Sequence, residues 1–396
     1  MWKSLKDLDV SQKTVLVRVD FNVPLDDQGR VTNVKRIRET LPTLRYLHEQ
    51  GARTLLLTHL GRPNGEVVSD LTTDRLVKPL SELFAQEGIE ATVDSVGALS
   101  GEEVQARITQ LPEGGFLLLE NARFDAREKK NDPSLAQEWA QLADVYVNDG
   151  FAVSHRDHAS VTGIAKLLPS AVGFSFETEV KTLTAAITSP RRPLHVVMGG
   201  VKMETRIPMI ENFLENVGAE MILLGGAMAN TFFVAQGHAV GMSLYEQEYV
   251  STASTLLERY ADRLVLPVDV VVADAIESDQ TEVVSVDAIP SSKMVLDIGP
   301  QTLQTFAGVL SGAGTIIWNG PMGVFERDPF LAGTKGVAEV LAGASADTII
   351  GGGDTAAAVE RVTLTDKMTF VSTGGGASLA LFEGKPLPGI EALDEV

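Results

Sequence analysis

The chain contains no cysteine. That excludes a disulfide framework, a thiolate metal site and a cysteine nucleophile. It has no run of about 18 apolar residues, the length a membrane-spanning helix needs, and its first residues, MWKSLKDLDV, lack the apolar core of a signal peptide. A cytoplasmic protein bound to no membrane is expected. Positive charge is scarce: 33 Lys and Arg stand against 53 Asp and Glu, a net charge of −20. Such a balance disfavours binding to nucleic acid or anionic lipid. It also makes any local cluster of Arg and His conspicuous. Two nucleotide signatures are missing as well. No G-x-x-x-x-G-K-[ST] loop occurs, and no G-x-G-x-x-G follows the first strand of either half, which weakens the P-loop ATPase and NAD dehydrogenase readings.

What is present is abundant apolar sequence, 44% of 396 residues. That is too much chain for one ordinary core, so two domains are expected. Strand-like runs alternate with helical periodicity, the mark of βαβ units and parallel sheets. In the first half the pattern places strands at 14–19, 53–58, 116–120 and 144–148, and helices at 36–50, 74–87 and 133–143. A second series runs from about 194 to 382. Between them LLPSAVGFSFETEVKTLTAAI reads as hinge and linker helix. The expected fold class is α/β, two Rossmann-like, doubly wound parallel-sheet domains joined by that helix. The expected segments are 1–168, 169–189, 190–379 and a final piece, 380–396.

The strands of the two halves end in different chemistries. First-half runs stop at polar residues (VLVRVDFN, TLLLTHLGR, FLLLENAR, VYVNDGF). Second-half runs stop at glycines (LHVVMGG, MILLGG, MVLDIGP, TIIWNGP, DTIIGGG, FVSTGGG). Ligands of open α/β sheets bind at these carboxyl ends. Arg36, His59 with Arg62, Arg123 and Arg156 follow four different strands of the first half. Singly, each Arg reads as a solvated surface charge. Together they suit a phosphate or carboxylate. The H-x-x-H at 155–158 lacks the partners and spacing of a zinc helix. In the second half, glycines ahead of helices offer N–H groups to phosphates. Asp354 suits Mg²⁺ or a simple helix cap. Glu326 suits ribose hydroxyls or an ordinary surface position. One half therefore reads as a site for a small anion, the other for a nucleotide. A non-catalytic binding protein on this fold is the competing reading.

At these residues the chain resembles the phosphoglycerate kinase family. The likeness runs nearly end to end, through VLVRVDFNVPL, RIRETLPTL, LTHLGRP, LLLENARF, YVNDGF with HRDHAS, GGVKM, LDIGPQT, WNGPMGVFE, GGGDT and VSTGGGASLALFEGKPLPG. The resemblance implies reversible, Mg²⁺-dependent phosphoryl transfer between 1,3-bisphosphoglycerate with ADP and 3-phosphoglycerate with ATP, by a monomer. It implies that the 1–168 domain holds the triose, that the 190–379 domain holds the nucleotide, and that 380–396 returns to the first domain. The triose would meet Asp20, Phe21, Asn22, Arg36, His59, Leu60, Gly61, Arg62, Arg123 and Arg156, with Arg18 adding to the basic patch. Lys202, Gly226, Leu296, Asn319, Glu326, Gly352, Gly353, Asp354 and Thr355 would hold the nucleotide, Asp354 as the Mg²⁺ ligand. Arg36, Lys202, Arg206, Gly353 and Gly375 would act on the migrating phosphoryl group.

The chain departs from the family pattern in places. Arg206 stands where the family has a second lysine. Gly150 and Val153 redistribute glycine in the loop before His155. Ala227 replaces a glycine near the adenine pocket, and Ala380 replaces a glutamate near the hinge.

Overall fold

The computed structural model describes residues 2–395. The chain forms two compact units, Met1–Lys181 with Pro386–Val396, and Thr182–Lys385. Each is built on a six-stranded parallel sheet.

In the first unit the strands are β1 (Thr14–Arg18), β2 (Arg53–Leu57), β3 (Val93–Ser95), β4 (Phe116–Leu118), β5 (Val145–Asn148) and β6 (Ser170–Val172), in the order β3-β4-β2-β1-β5-β6. The central strands are apolar on both faces because helices cover both: Val15, Leu16 and Val17 are fully buried, as are Leu55 and Leu56. The chain reverses its direction of growth between β1 and β5, and the loops leaving β1, β2 and β5 gather at that switch point. The helix Pro133–Ala140 begins where Asp132 accepts from the Ser134 N–H at 2.9 Å, with Pro133 in the first turn.

The observed strands are shorter than those expected from the sequence by a residue or two. Two strands carry too little signal to be read in advance. β3 is three residues long and partly exposed. β6 lies inside the stretch read as linker, yet it pairs in parallel with β5, Ser170 opposite Tyr146. The linker helix proper is Phe174–Thr188. The final segment is tied to the first unit by backbone bonds from Gly389 to Ser154 (2.8 Å) and from Lys3 to Asp394 (3.0 Å).

The second unit has β7 (Leu194–Met198), β8 (Met221–Leu224), β9 (Leu264–Val265), β10 (Asp269–Ala273), β11 (Glu282–Ser285), β12 (Met294–Ile298), β13 (Thr315–Asn319), β14 (Asp347–Gly351) and β15 (Phe370–Val371). The parallel sheet runs β15-β14-β13-β7-β8-β9 and switches between β7 and β13. One element differs from the expected repeat. MVLDIGP belongs to β12, which pairs antiparallel with β10 in a separate three-stranded sheet, β11-β10-β12. A short apolar run ending in glycine reads the same whichever direction its neighbour takes, so the run alone could not reveal the change.

Candidate active site

The first unit concentrates its cations at the β1/β5 switch point. Arg18, the last residue of β1, is 1% exposed. Its Nε donates to Ser160 Oγ at 3.0 Å, one terminal nitrogen to the Val19 carbonyl, and the other to His59 Nδ1 at 3.0 Å. His59 is 3% exposed. Burial, and then the charges of Arg18, Arg123, Arg156 and Arg36, hold it well below the ordinary histidine range, so it is neutral at pH 7. A guanidinium can only donate. Nδ1 is therefore the acceptor, and Nε2 carries the proton.

Arg123 sits in a 3₁₀ turn, Ala122–Phe124, with its N–H on Asn121 Oδ1. Its Nη1 donates to the Gly61 carbonyl at 2.9 Å, while the Gly61 N–H donates to Asn22 Oδ1 at 2.9 Å. Gly61 has φ +65°, and a Cβ there would lie 2.8 Å from the Leu71 side chain, so the loop needs glycine. Burial, followed by Arg156, lowers the Arg123 guanidinium to about 10, still protonated at neutral pH. Arg36, in the first turn of the helix Lys35–Glu49, pairs with Asp20 Oδ2 at 2.5 Å. The other oxygen, Asp20 Oδ1, is buried without a partner. Arg156 Nε donates to His155 Nε2 at 3.2 Å. Arg62 is exposed, and no hydrogen bond or ion pair among the described residues engages it.

Phe21 and Leu60 belong to the hydrophobic core of this unit. Only their backbones can serve a ligand. The Phe21 N–H is already given to Thr58 Oγ1 (3.0 Å) and that of Leu60 to Asn121 Oδ1 (3.2 Å).

The second unit encloses a cavity of about 540 Å³. Its floor is backbone. After β7, β8 and β13 the chain turns through Gly199-Gly200, Gly225-Gly226 and Gly320-Pro321. A Cβ on Gly199 would stand 2.1 Å from the Pro321 carbonyl, and one on Gly226 2.5 Å from the Gly200 nitrogen. Only glycine permits this approach of three strand ends. Lys202, Arg206, Gly226, Leu296, Glu326 and Asp354 line the cavity, together with apolar groups such as Phe233 and Val324. Lys202 is exposed at the N-cap of the helix Met203–Glu211. Arg206 donates from Nη1 to Asn319 Oδ1, and Asn319 Nδ2 donates to the Gly351 carbonyl at 2.8 Å. Burial lowers Arg206 to about 10, against the opposing pull of Asp354 and Glu383. Its Nε is buried without an acceptor. Asp354 stands exposed in the first turn of the helix Gly353–Arg361.

The expected nucleotide residues do not all reach this cavity. Asn319, Gly352, Gly353, Thr355 and Gly375 are not on its wall. Asn319 reaches it through Arg206. Thr355 is buried and its hydroxyl accepts from the Gly320 N–H at 2.6 Å. Gly353 has open space above its α-carbon, as has Gly375, which caps the helix Gly376–Phe382 at φ +50°.

Several residues that shape the basic cluster escaped sequence reasoning: Glu128, Ser160 and Asn121. Asn121 Nδ2 donates to the Leu60 and Leu71 carbonyls while its Oδ1 accepts from Leu60 and Arg123, which locks two ligand loops together. Its place inside ENARF was the available signal. Glu128 lies in the charge run REKK, which reads as solvated surface, and nothing local marks its burial.

Known proteins share this arrangement. The phosphoglycerate kinase family model matches residues 5–385. The phosphoglycerate kinase of Herpetosiphon aurantiacus is 49% identical over 397 residues, 99% of each chain. Arabidopsis thaliana "Phosphoglycerate kinase 3, cytosolic" is 50% identical over 99% of this chain and 98% of its own. Among solved structures, phosphoglycerate kinase from Coxiella burnetii superposes with a TM-score of 0.87 at 38% identity, covering 99% of this chain and 98% of that one. That from Pyrococcus horikoshii gives 0.86 at 33% identity. With end-to-end matches at this identity, on the same pair of parallel sheets, the chain belongs to the phosphoglycerate kinase family.

Proposed function

We propose that the chain catalyses reversible phosphoryl transfer between ATP and the carboxylate of 3-phosphoglycerate, with the triose on the first unit and the nucleotide on the second. The observation that carries this is the division of labour between the two switch points. One gathers guanidinium and imidazole groups. The other is a backbone-floored cavity with Lys202, Arg206 and Asp354 on its wall.

On the first unit, Arg62, Arg123 and Arg156 suit the triose phosphate, since guanidinium forks match phosphate oxygens. Arg36 is the group for the carboxyl end during transfer. Asp20 Oδ1, buried and lacking a donor, fits the substrate's hydroxyl. Asn22, whose side-chain oxygen holds the Gly61 N–H, shapes that pocket with Gly61. On the second unit, Leu296 and Gly226 face the base, Glu326 the ribose, and Lys202 and Arg206 the phosphates, with the N–H groups around Gly352, Gly353, Thr355 and Gly375 adding to the phosphate cradle.

The attacking group is an ionised carboxylate in one direction and an ADP oxygen in the other, so no general base is required. Catalysis rests on positioning and charge neutralisation. Cations without a paired base are therefore what the chemistry demands.

Mg²⁺ fits Asp354. Among the described residues no cluster of three acidic or histidine side chains forms a cage. An exposed carboxylate beside a phosphate cavity is what a cation that keeps water and phosphate ligands needs. When bound, Mg²⁺ would neutralise phosphate charge. Arg206, close enough to feel the Asp354 charge, would add a cation for the phosphates. No helix among the described residues is long and apolar enough to cross a membrane. The reading takes the enzyme as cytoplasmic, supported by the cytosolic label of the Arabidopsis relative.

Purified protein should turn over ATP with 3-phosphoglycerate, and ADP with 1,3-bisphosphoglycerate, when Mg²⁺ is saturating. No turnover in either direction would overturn the proposal.

A further inference from the structure

His59 is the ring that Arg18 engages in the first unit, and its usefulness to an anion depends on which nitrogen holds the proton. The structure fixes that choice from some distance away. Glu128, three links from the ring, is 1% exposed. Its Oε1 accepts from Ser160 Oγ at 2.7 Å, and Oε2 lies 3.2 Å from His158 Nδ1. A carboxylate only accepts, so the Ser160 hydroxyl must spend its hydrogen on Glu128. The Ser160 oxygen is then left as an acceptor, and Arg18 Nε donates to it at 3.0 Å. Arg18 only donates, so its other end forces His59 Nδ1 to accept. Glu128 and Ser160 anchor the guanidinium in place, and the guanidinium, a donor at every nitrogen, sets the role of the ring.

Charge supports the same order. Arg18 is fully buried, and Glu128 and Asp20 are the carboxylates that offset its cation. Burial alone would raise the Glu128 carboxyl. The adjacent His158, then Ser160 and Arg18, outweigh it and hold the group below the usual range, so it is ionised at neutral pH.

We infer that Glu128 is a positioning residue for triose binding: through Ser160 and Arg18 it holds His59 in the Nε2–H tautomer, so that the ring meets an anionic ligand as a donor. The inference rests on the reading that this cluster binds the triose. Without Glu128, Arg18 loses a buried counter-charge and a fixed Ser160 anchor for its Nε, so the guanidinium is free to leave His59 Nδ1. The ring then samples the Nδ1–H form, which presents a lone pair to the ligand.

Nitrogen-15 correlation spectra of the histidine rings read the tautomer directly. His59 peaks are identified by their loss in His59→Gln. In the parent protein, without ligand, His59 should show the Nε2–H form alone at pH 7. An Nδ1–H ring or an imidazolium at pH 7 would overturn the inference, and this readout does not depend on enzymatic activity. Ser160→Ala removes the anchor on Arg18 Nε without altering charge, and Glu128→Gln removes the counter-charge at constant size. Both should give mixed His59 tautomers and raise KM for 3-phosphoglycerate by roughly tenfold, the scale of one lost hydrogen bond, with KM for ATP unchanged. Glu128→Asp should retain part of the parental spectrum. If Glu128→Gln does not fold, Ser160→Ala decides. A folded variant with an unchanged tautomer and an unchanged triose KM refutes the proposal, as does a loss of activity with the parental tautomer retained. A parent protein with the expected tautomer but no turnover would instead refute the function proposed above.

Discussion

Replacing Arg206 with alanine should do two separable things. The first concerns stability. Arg206 Nη1 is the donor to Asn319 Oδ1, and Asn319 is 1% exposed. Alanine leaves that buried acceptor without a donor, a loss of about 1–3 kcal/mol. For a unit the size of 182–385, each kcal/mol is roughly 2–4 °C in Tm, so its transition should fall by about 2–12 °C. The second effect concerns the nucleotide. Losing one hydrogen bond to a charged group costs about 1.5–3 kcal/mol, or roughly 12- to 160-fold in Kd for Mg-ADP. Arg206→Lys keeps the charge but not the fork. An ammonium can serve Asn319 or a phosphate oxygen, and it should leave affinity within about tenfold, or 1.4 kcal/mol. Scanning calorimetry and titration of Mg-ADP into both variants measure the two effects independently. An alanine variant that melts and binds like the parent would refute both contributions. One that melts lower yet binds Mg-ADP normally would make Arg206 a brace for Asn319 and remove it from the phosphate site.

Arg123→Ala should weaken 3-phosphoglycerate binding by about 1.5–3 kcal/mol and leave Mg-ADP binding alone; equal losses for both ligands would refute the assignment of one ligand to each unit. Asp354→Asn should weaken Mg-ADP and depress turnover while calorimetry shows triose affinity intact, and an unchanged Mg²⁺ requirement would remove Asp354 as the metal ligand. Burial holds Asp149 up at about 7, above its unfolded value of 3.8. The folded protein therefore keeps an extra proton between those values, and the stability it contributes, full below about pH 4, is lost as pH rises through 7. Asparagine cannot titrate, so the stability of Asp149→Asn relative to the parent should rise between pH 5 and 8 in urea unfolding, and parallel curves for the two proteins would refute this.

The parts legible in the sequence were those whose meaning is local. A buried parallel strand is an apolar run, and TVLVR or LHVVM announces it whatever surrounds it. A strand end that must admit another backbone is glycine, so Gly199, Gly226 and Gly320 were visible as a class, although the clashes that require them, 2.1 Å at Gly199 and 2.3 Å at Gly320, exist only once β7 and β13 lie side by side. Arg36, His59 and Arg123 could be gathered because parallel topology sends strand ends to one edge. What stayed hidden was whatever depends on burial without periodicity. Glu128 and Lys129 are neighbours in one charged stretch, yet Glu128 is closed off against Ser160 and His158 while Lys129 is exposed and reaches Asn64. No property of the stretch separates them. The same holds for Asp149 and Asp20, two carboxylates following strands of one sheet. Asp149 takes the Phe176 N–H and is pushed up by burial, whereas Asp20 pairs with Arg36. Sequence could name which residues carry charge at a strand end. Which of them meets a ligand, and which is spent holding another in place, is decided by the partners that folding supplies.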